Sequence, residues 1–368
     1  MKIVSFEALP FHKWVLESTV NAARLMGHEV IEIGHQPKHH HDWWTGSPET
    51  AGKLKEVLGN TDFVLTADYP YAPLKGMMRV GAKVVALRHS LASRGNTYEK
   101  EQFDADILPV FSMYDREKIE AARKGLLKKT GWNSTQSTQT TGTNAGCPWA
   151  SPVLSLDRAG SRLELRHRLG LPQIDDGRRI VAVATTWNPW TSLEVIKELA
   201  ANKDWIVVWR PHWAAAWRRP EELDQVRAAG AFIDDPMQHP STLLLGSSAL
   251  VGDVSGVVLL ATLVYGDHGE NLEKSHMGGL PIVLIDPEPN ALVSSGQLDA
   301  DGPEWTFRDE LGPRLKHDFE AGSVRMAVTK ALEHDEYRVG RCVVANTMTS
   351  PYTMEDSPMR LVRVLEQM

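Results

Sequence analysis

Four short segments of this chain set side chains suited to phosphate or proton chemistry directly behind apolar runs. Arg210-Pro211-His212-Trp213 follows Trp205–Trp209, and Asp253-Val254-Ser255-Gly256 follows Ala249–Val251. Thr185-Thr186-Trp187 follows Arg179–Ala184, and Arg88-His89-Ser90 follows Lys83–Leu87. An arginine presents a planar fork of donors that matches a phosphate. A histidine titrates near neutrality, so His89 can act as a general base. Ser255-Gly256 opens a helical pattern, where backbone N–H groups and the helix dipole favour an anion. The hydroxyls of Thr185 and Thr186 suit a diphosphate or a sugar, and Arg94, just past Ser90, suits an acidic acceptor. Each segment has a plainer explanation too. Arg210 can pair with a carboxylate beside a turn at Pro211, Asp253 or Ser255 can cap a helix, and Gly256 can permit a tight turn. Most histidines are not catalytic.

Other clusters carry less. His35, His39, His40 and His41 precede Asp42-Trp43-Trp44, but adjacent imidazoles converge poorly on one ion and no paired cysteines accompany them. They read as a polar loop, and no metal is expected. His268 and His276 lie in a polar insertion with Asp267, Glu270 and Glu273. No Gly-x-Gly-x-x-Gly, no phosphate-loop Gly-Lys-Ser/Thr and no Gly-x-Ser-x-Gly occurs, which argues against the common dehydrogenases, nucleotide triphosphatases and hydrolases.

The elements that must hold these residues alternate. Apolar runs at 3–6, 29–33, 63–65, 83–87 and 106–110 read as strands. Helical patterns at 12–26, 48–58 and 115–127 fall between or after them. A Thr/Ser-rich stretch from Trp132 to Gly146 reads as a long loop. After a helix at 156–169, the segment Gly170–Arg178 reads as a linker. A second series follows, with strands at 179–184, 205–209, 249–251 and 281–285 and helices at 192–201, 220–229, 241–245 and 256–265. Further helices occupy the chain from about 321 onward. Strands alternating with helices imply parallel sheets, and such sheets bind ligands beyond the strands' carboxyl ends. The expected fold is therefore α/β, with two Rossmann-like doubly wound domains facing across a cleft, at 1–170 and 178–350. C-terminal helices complete it, with 351–368 packing back on the first domain.

The totals agree with that reading. The chain has 368 residues, and at roughly 100–200 residues per domain it holds two. A net charge of -7 argues against general nucleic-acid binding. Two distant cysteines, Cys147 and Cys342, give no disulfide framework, which fits a reducing, cytoplasmic setting. No apolar run is long enough to span a bilayer, leaving a peripheral membrane contact or a homo-oligomer compatible with the sequence.

Taken in order, the segments resemble the CDP-glycerol glycerophosphotransferase family of teichoic-acid primases and polymerases. The resemblance runs from His89-Ser90 through Phe111-Ser112, Lys129-Thr130-Gly131-Trp132, Ala184-Thr185-Thr186, Arg210-Pro211-His212 and Asp253-Val254-Ser255-Gly256 to Leu280-Pro281-Ile282-Val283. Two departures stand out. The family's His-Gly is His89-Ser90 here, and the second serine of its Asp-x-Ser-Ser is Gly256. The pattern is similar, less closely, to the hydrolysing UDP-N-acetylglucosamine 2-epimerases.

The resemblance implies a GT-B architecture, with the acceptor on the first domain and the nucleotide donor on the second. It implies transfer of a glycosyl or polyol-phosphate group from a CDP- or UDP-linked donor, with no added cofactor. His89 would be the base and His212 a second catalytic residue. Thr185, Thr186, Arg210, Asp253, Ser255 and Gly256 would hold the donor, with Asp253 orienting the turn or His212. Ser90 and Arg94 would meet the acceptor, whether polyol, glycan or modified nucleobase. A nucleotide-sugar 2-epimerase, a glycosyltransferase acting on modified DNA bases and a non-catalytic nucleotide-sugar binding protein remain as alternatives.

Overall fold

The structure is a computed structural model. It describes residues 1–7, 11–34, 56–67, 82–89, 105–130, 141–143, 145–154, 157–174, 176–185, 189–213, 219–266, 277–287, 306–349 and 356–368. The chain divides into two compact units. One comprises Met1–His89, Gly95–Ser151 and Thr347–Met368, and the other Ser90–Arg94 and Pro152–Asn346.

The first unit runs β1 (Lys2–Glu7), α1 (His12–Leu25), β2 (Glu29–Gly34), β3 (Phe63–Ala67), β4 (Lys83–Leu87), β5 (Ile107–Pro109), α2 (Met113–Thr130) and β6 (Thr141–Thr143). A 3₁₀ segment, Pro148–Leu154, leads out of it. Its sheet has the order β2-β1-β3-β4-β5-β6, and every pairing is parallel. Both β3 and β4 are apolar along almost their whole length, as strands covered on both faces must be.

The second unit begins with α3 (Arg158–Arg168), β7 (Arg179–Ala184), α4 (Pro189–Ala200), β8 (Trp205–Trp209), α5 (Pro220–Ala228), β9 (Phe232–Ile233) and α6 (Ser241–Gly246). It continues with β10 (Ala249–Gly252), α7 (Gly256–Ala261), β11 (Ile282–Asp286), α8 (Arg308–Leu311), β12 (Arg314–Lys316), α9 (Ser323–Glu333) and α10 (Arg338–Thr349), whose last three residues are counted with the first unit. The sheet order is β12-β11-β10-β7-β8-β9, again all parallel. Trp205 and Trp209 join Val181, Val183, Val207, Val251 and Val283 in its core.

Three short edge strands, β6, β9 and β12, have no counterpart among the sequence-derived elements. Two or three residues are too few to show a period. The segment 170–178 also lies within the second unit rather than between two domains. It is held there by Arg166, which donates to the Pro172 carbonyl at 2.8 Å and to Asp176 at 3.0 Å. The unit boundary falls instead inside the 3₁₀ segment, between Ser151 and Pro152.

The terminal helix α11 (Ser357–Glu366) belongs to the first unit and packs on α1. Its apolar stripe, Pro358, Leu361, Val362 and Leu365, recurs at helical spacing. A hydrogen bond of 3.0 Å links His28 Nε2 and Glu366 Oε1, and Lys83 Nζ donates to the Met368 carbonyl at 3.0 Å.

Close packing fixes where β10 meets α7. A Cβ added at Gly252 would stand 2.4 Å from Val258 Cγ2 and 3.2 Å from the Ala184 carbonyl oxygen. Only a glycine lets the helix lie this near the strand. Gly252→Ala is expected to lower stability by about 1–3 kcal/mol, the usual range for overpacking, read as a lower urea midpoint at unchanged slope.

Candidate functional site

In the second unit β7 and β10 are neighbours, with Ala184 opposite Gly252. From β7 the chain works outward to β8 and β9, and from β10 it works outward the other way to β11 and β12. Loops leaving β7 and β10 therefore part from each other, which opens the crevice used by doubly wound sheets. Thr185 and Asp253-Val254-Ser255-Gly256 begin those two loops. Ser255 is the N-cap of α7, with its hydroxyl accepting from Val257 N at 3.2 Å, and Gly256 is the first helical residue. Ser255, Gly256 and Val257 are half-exposed, whereas Asp253 is nearly buried. The Thr185 and Ser192 hydroxyls are hydrogen-bonded, tying the start of the β7 loop to α4.

Arg210 stands one strand further out. Its backbone N–H donates to Val183 O at 2.8 Å. Its guanidinium pairs with Asp234 and donates to the carbonyls of Asp235 (3.0 Å), Pro236 (3.2 Å) and Gln238. Arg168 reaches the other oxygen of Asp234 at 2.7 Å. Arg210 is only 5% exposed. Burial pushes its pKa down, and the charge of Asp234 opposes that. Sequence reasoning places Arg210 on a diphosphate; in the structure both its terminal nitrogens are engaged by the loop after β9. His212, two residues on, is half-buried, with its ring 5.6 Å from that of Trp213.

A second buried arginine lies on the other side of the crevice. Arg308, on α8, is 2% exposed. It donates to the Asp253 carbonyl at 3.2 Å, to the Ile285 carbonyl at 3.4 Å and to Asp286 Oδ1 through Nε at 3.0 Å. Asp286 also receives Arg314 Nη2 at 2.7 Å. Burial alone would raise the Asp286 pKa. Hydrogen bonds and charge from Arg314 and Arg308 outweigh it and hold the carboxyl below its usual range. The Asp253 turn is thus fixed from behind by a residue 55 positions later in the chain.

In the first unit His89 follows the end of β4 and is half-buried, with its ring edge-on to Phe11 at 5.2 Å. The residue before it, Arg88, is 3% exposed and forms a two-point pair with Asp115, near the start of α2. Ser112 begins that helix as a cap, its hydroxyl accepting from Asp115 N at 3.1 Å. The Arg88 carbonyl accepts from Trp149 Nε1 at 2.6 Å.

Thr186, Ser90, Arg94, the histidines at 35 and 39–41, and the insertion residues 267–276 lie outside the described residues. Among the described residues no group of three or more His, Cys, Asp or Glu is placed to hold a metal ion. No helix among them is long and apolar enough to cross a membrane. Sequence reasoning missed Arg308, Asp286, Asp234, Asp115 and Trp149. One local signal was available: Ser112 and Asp115 stand three apart at a helix start. The others act across 22 to 61 positions, where no motif operates.

No family model matches the chain, and no curated protein matches it. Solved structures do resemble it. The wall teichoic acid polymerase TagF, soaked with CDPG, matches 99% of this chain and 88% of its own, with a TM-score of 0.63 and 12% identity. The UDP-GlcNAc 2-epimerase from Neisseria meningitidis bound to UDP-GlcNAc matches all of both chains, at a TM-score of 0.52 and 12% identity. The glycosyltransferase VinC in complex with DTDP also matches all of both, at 0.52 and 12%. At such identity the likeness shows the fold: two Rossmann-like domains of the GT-B class.

Two outcomes test the site's framework. Arg210→Ala leaves Asp234 buried with half its partners, so it should lower stability by about 3–5 kcal/mol in chemical denaturation, and Arg210→Lys, lacking the fork, should not restore it. For Asp286 the sign follows from a folded pKa below the unfolded value of about 3.9. Its contribution is complete above that value and is lost as pH falls through the lower folded one. Asp286→Asn should therefore destabilise at pH 7 and shrink the stability difference between pH 7 and pH 3.

Proposed function

We propose that the chain is a transferase that moves a glycosyl or polyol-phosphate group from a CDP- or UDP-linked donor to an acceptor hydroxyl. The observation that carries this reading is the crevice where β7 and β10 part, occupied by Thr185 and by Asp253-Val254-Ser255-Gly256. That is where a doubly wound sheet accepts a nucleotide. Three similar structures are of proteins soaked or complexed with CDPG, UDP-GlcNAc or DTDP, which supports a nucleotide diphosphate there.

In this reading the second unit holds the donor. Thr185, Thr186, Ser255 and the backbone at Gly256 meet the diphosphate. His212 offers a further donor, and Asp253 shapes the turn. Arg210 contributes by holding the sheet edge. His89, in the first unit, is the base, and Ser90 and Arg94 meet the acceptor. His89 takes the proton from the acceptor hydroxyl and its oxygen bonds to the transferred group. The bond between that group and the nucleotide breaks, and the charge appearing on the leaving nucleotide is met by His212 and the N–H groups of Ser255 and Gly256. A nucleotide-sugar 2-epimerase is the second reading, supported by the Neisseria likeness.

The test is release of nucleotide from a panel of CDP- and UDP-linked donors, with and without polyol, glycan or modified-base acceptors. Release only with acceptor is expected, and acceptor-free release of UDP would favour the epimerase. His89→Ala should bind donor normally and turn over about 10²–10⁴-fold more slowly. Unchanged turnover removes His89 as the base.

A further inference from the structure

The residues behind His89 form a connected set. The Arg88 guanidinium makes its two-point pair with Asp115 and donates to the Pro109 carbonyl at 3.4 Å. It also lies over the Phe111 ring, 4.2 Å from the centroid. Asp115 Oδ2 accepts from Phe111 N at 2.9 Å. Trp149, 1% exposed, meets Trp14 edge-on at 5.7 Å and Phe111 at 6.2 Å, and its indole N–H holds the Arg88 carbonyl.

That carbonyl belongs to the peptide group joining Arg88 to His89. A peptide group is planar and rigid. Holding its oxygen, while the Arg88 side chain is anchored on the other side of Cα, leaves the His89 backbone little freedom. Packing on Phe11 then limits the ring. A buried ion pair is seldom the most stable filling for such a space, since apolar side chains of equal volume do as well or better. What the pair adds is a fixed geometry.

We infer that Arg88, Asp115 and Trp149 are positioning residues for His89: they set the place from which its imidazole works and touch no substrate themselves. The inference rests on His89 being the base proposed above, but the clamp itself can be observed without turnover. Displacing a catalytic group by about 1 Å costs on the order of 10²-fold in rate.

The experiment uses the full chain with ¹³C-labelled histidine, the His89 resonance being assigned by its loss in His89→Ala. Trp149→Phe keeps an aromatic ring and removes the N–H. Arg88→Lys keeps the charge and removes the fork, and covers the case in which the tryptophan variant does not fold. In the wild type His89 should give one sharp resonance. In either variant that resonance should split or broaden, while His28 in the same unit is unchanged. Where the wild type turns over a donor, kcat should fall about tenfold or more with donor KM within about twofold. A His89 resonance as single and sharp as in the wild type in both variants overturns the inference, whatever the rate does. Full turnover by His89→Ala, with the resonance split in the variants, would instead remove the base and leave the clamp.

Discussion

Loops that leave the carboxyl edge of a parallel sheet have no ladder partners for their carbonyls, and a buried carbonyl left unpaired costs about 1–3 kcal/mol. This chain meets that constraint with buried guanidinium groups. Arg210 reaches the loop carbonyls of Asp235, Pro236 and Gln238 and Arg308 that of Asp253, while Arg88 and Arg308 also reach those of Pro109 and Ile285 at the ends of β5 and β11. Each is also neutralised by a carboxylate: Asp115, Asp234 and Asp286. An arginine can do this because its donors form a fork of fixed shape, one side to a carboxylate and another to main-chain oxygens.

The same device appears away from the sheet edges' carboxyl ends. Arg341, almost fully buried, donates to the carbonyls of Gly278 and Leu311 and pairs with Asp335. Gly278 is at a φ of +83°, and a Cβ there would stand 2.8 Å from Cys342 N, so α10 can close on that turn only over a glycine. In α3, Arg158 donates to the carbonyl of Leu245, in the last turn of α6, and to that of Ser247, just past it. These contacts bind α3 into the second unit, although it precedes β7 in sequence. The proposed donor crevice is thus the part of a stiff frame where the chain parts between β7 and β10.

Much of this frame was legible in advance. The main strands read as apolar runs because parallel strands are buried on both faces, and the principal helices read from their spacing. The edge strands β6, β9 and β12 did not, being too short for a pattern and defined only by the neighbour they pair with. Of the candidate residues, Thr185 and Asp253 were singled out because each directly follows a strand, and Ser255 and Gly256 because they open the next helix. Arg210 was singled out by the same rule, and its pairing with Asp234 was not legible. An arginine behind a strand looks the same in sequence whether it faces a ligand or an aspartate 24 positions away.

The sequence by itself determined the alternation of strands and helices, the two α/β series and the short list of polar residues at strand ends. Those are consequences of local pattern, carried by the neighbours of each residue in the chain. Only the tertiary structure decided which arginines are engaged by carboxylates and carbonyls, that 170–178 lies inside the second unit, and that β7 and β10 are neighbours whose loops part. Each of these depends on contacts between residues far apart in the chain, where burial sets the partner and spacing carries no information.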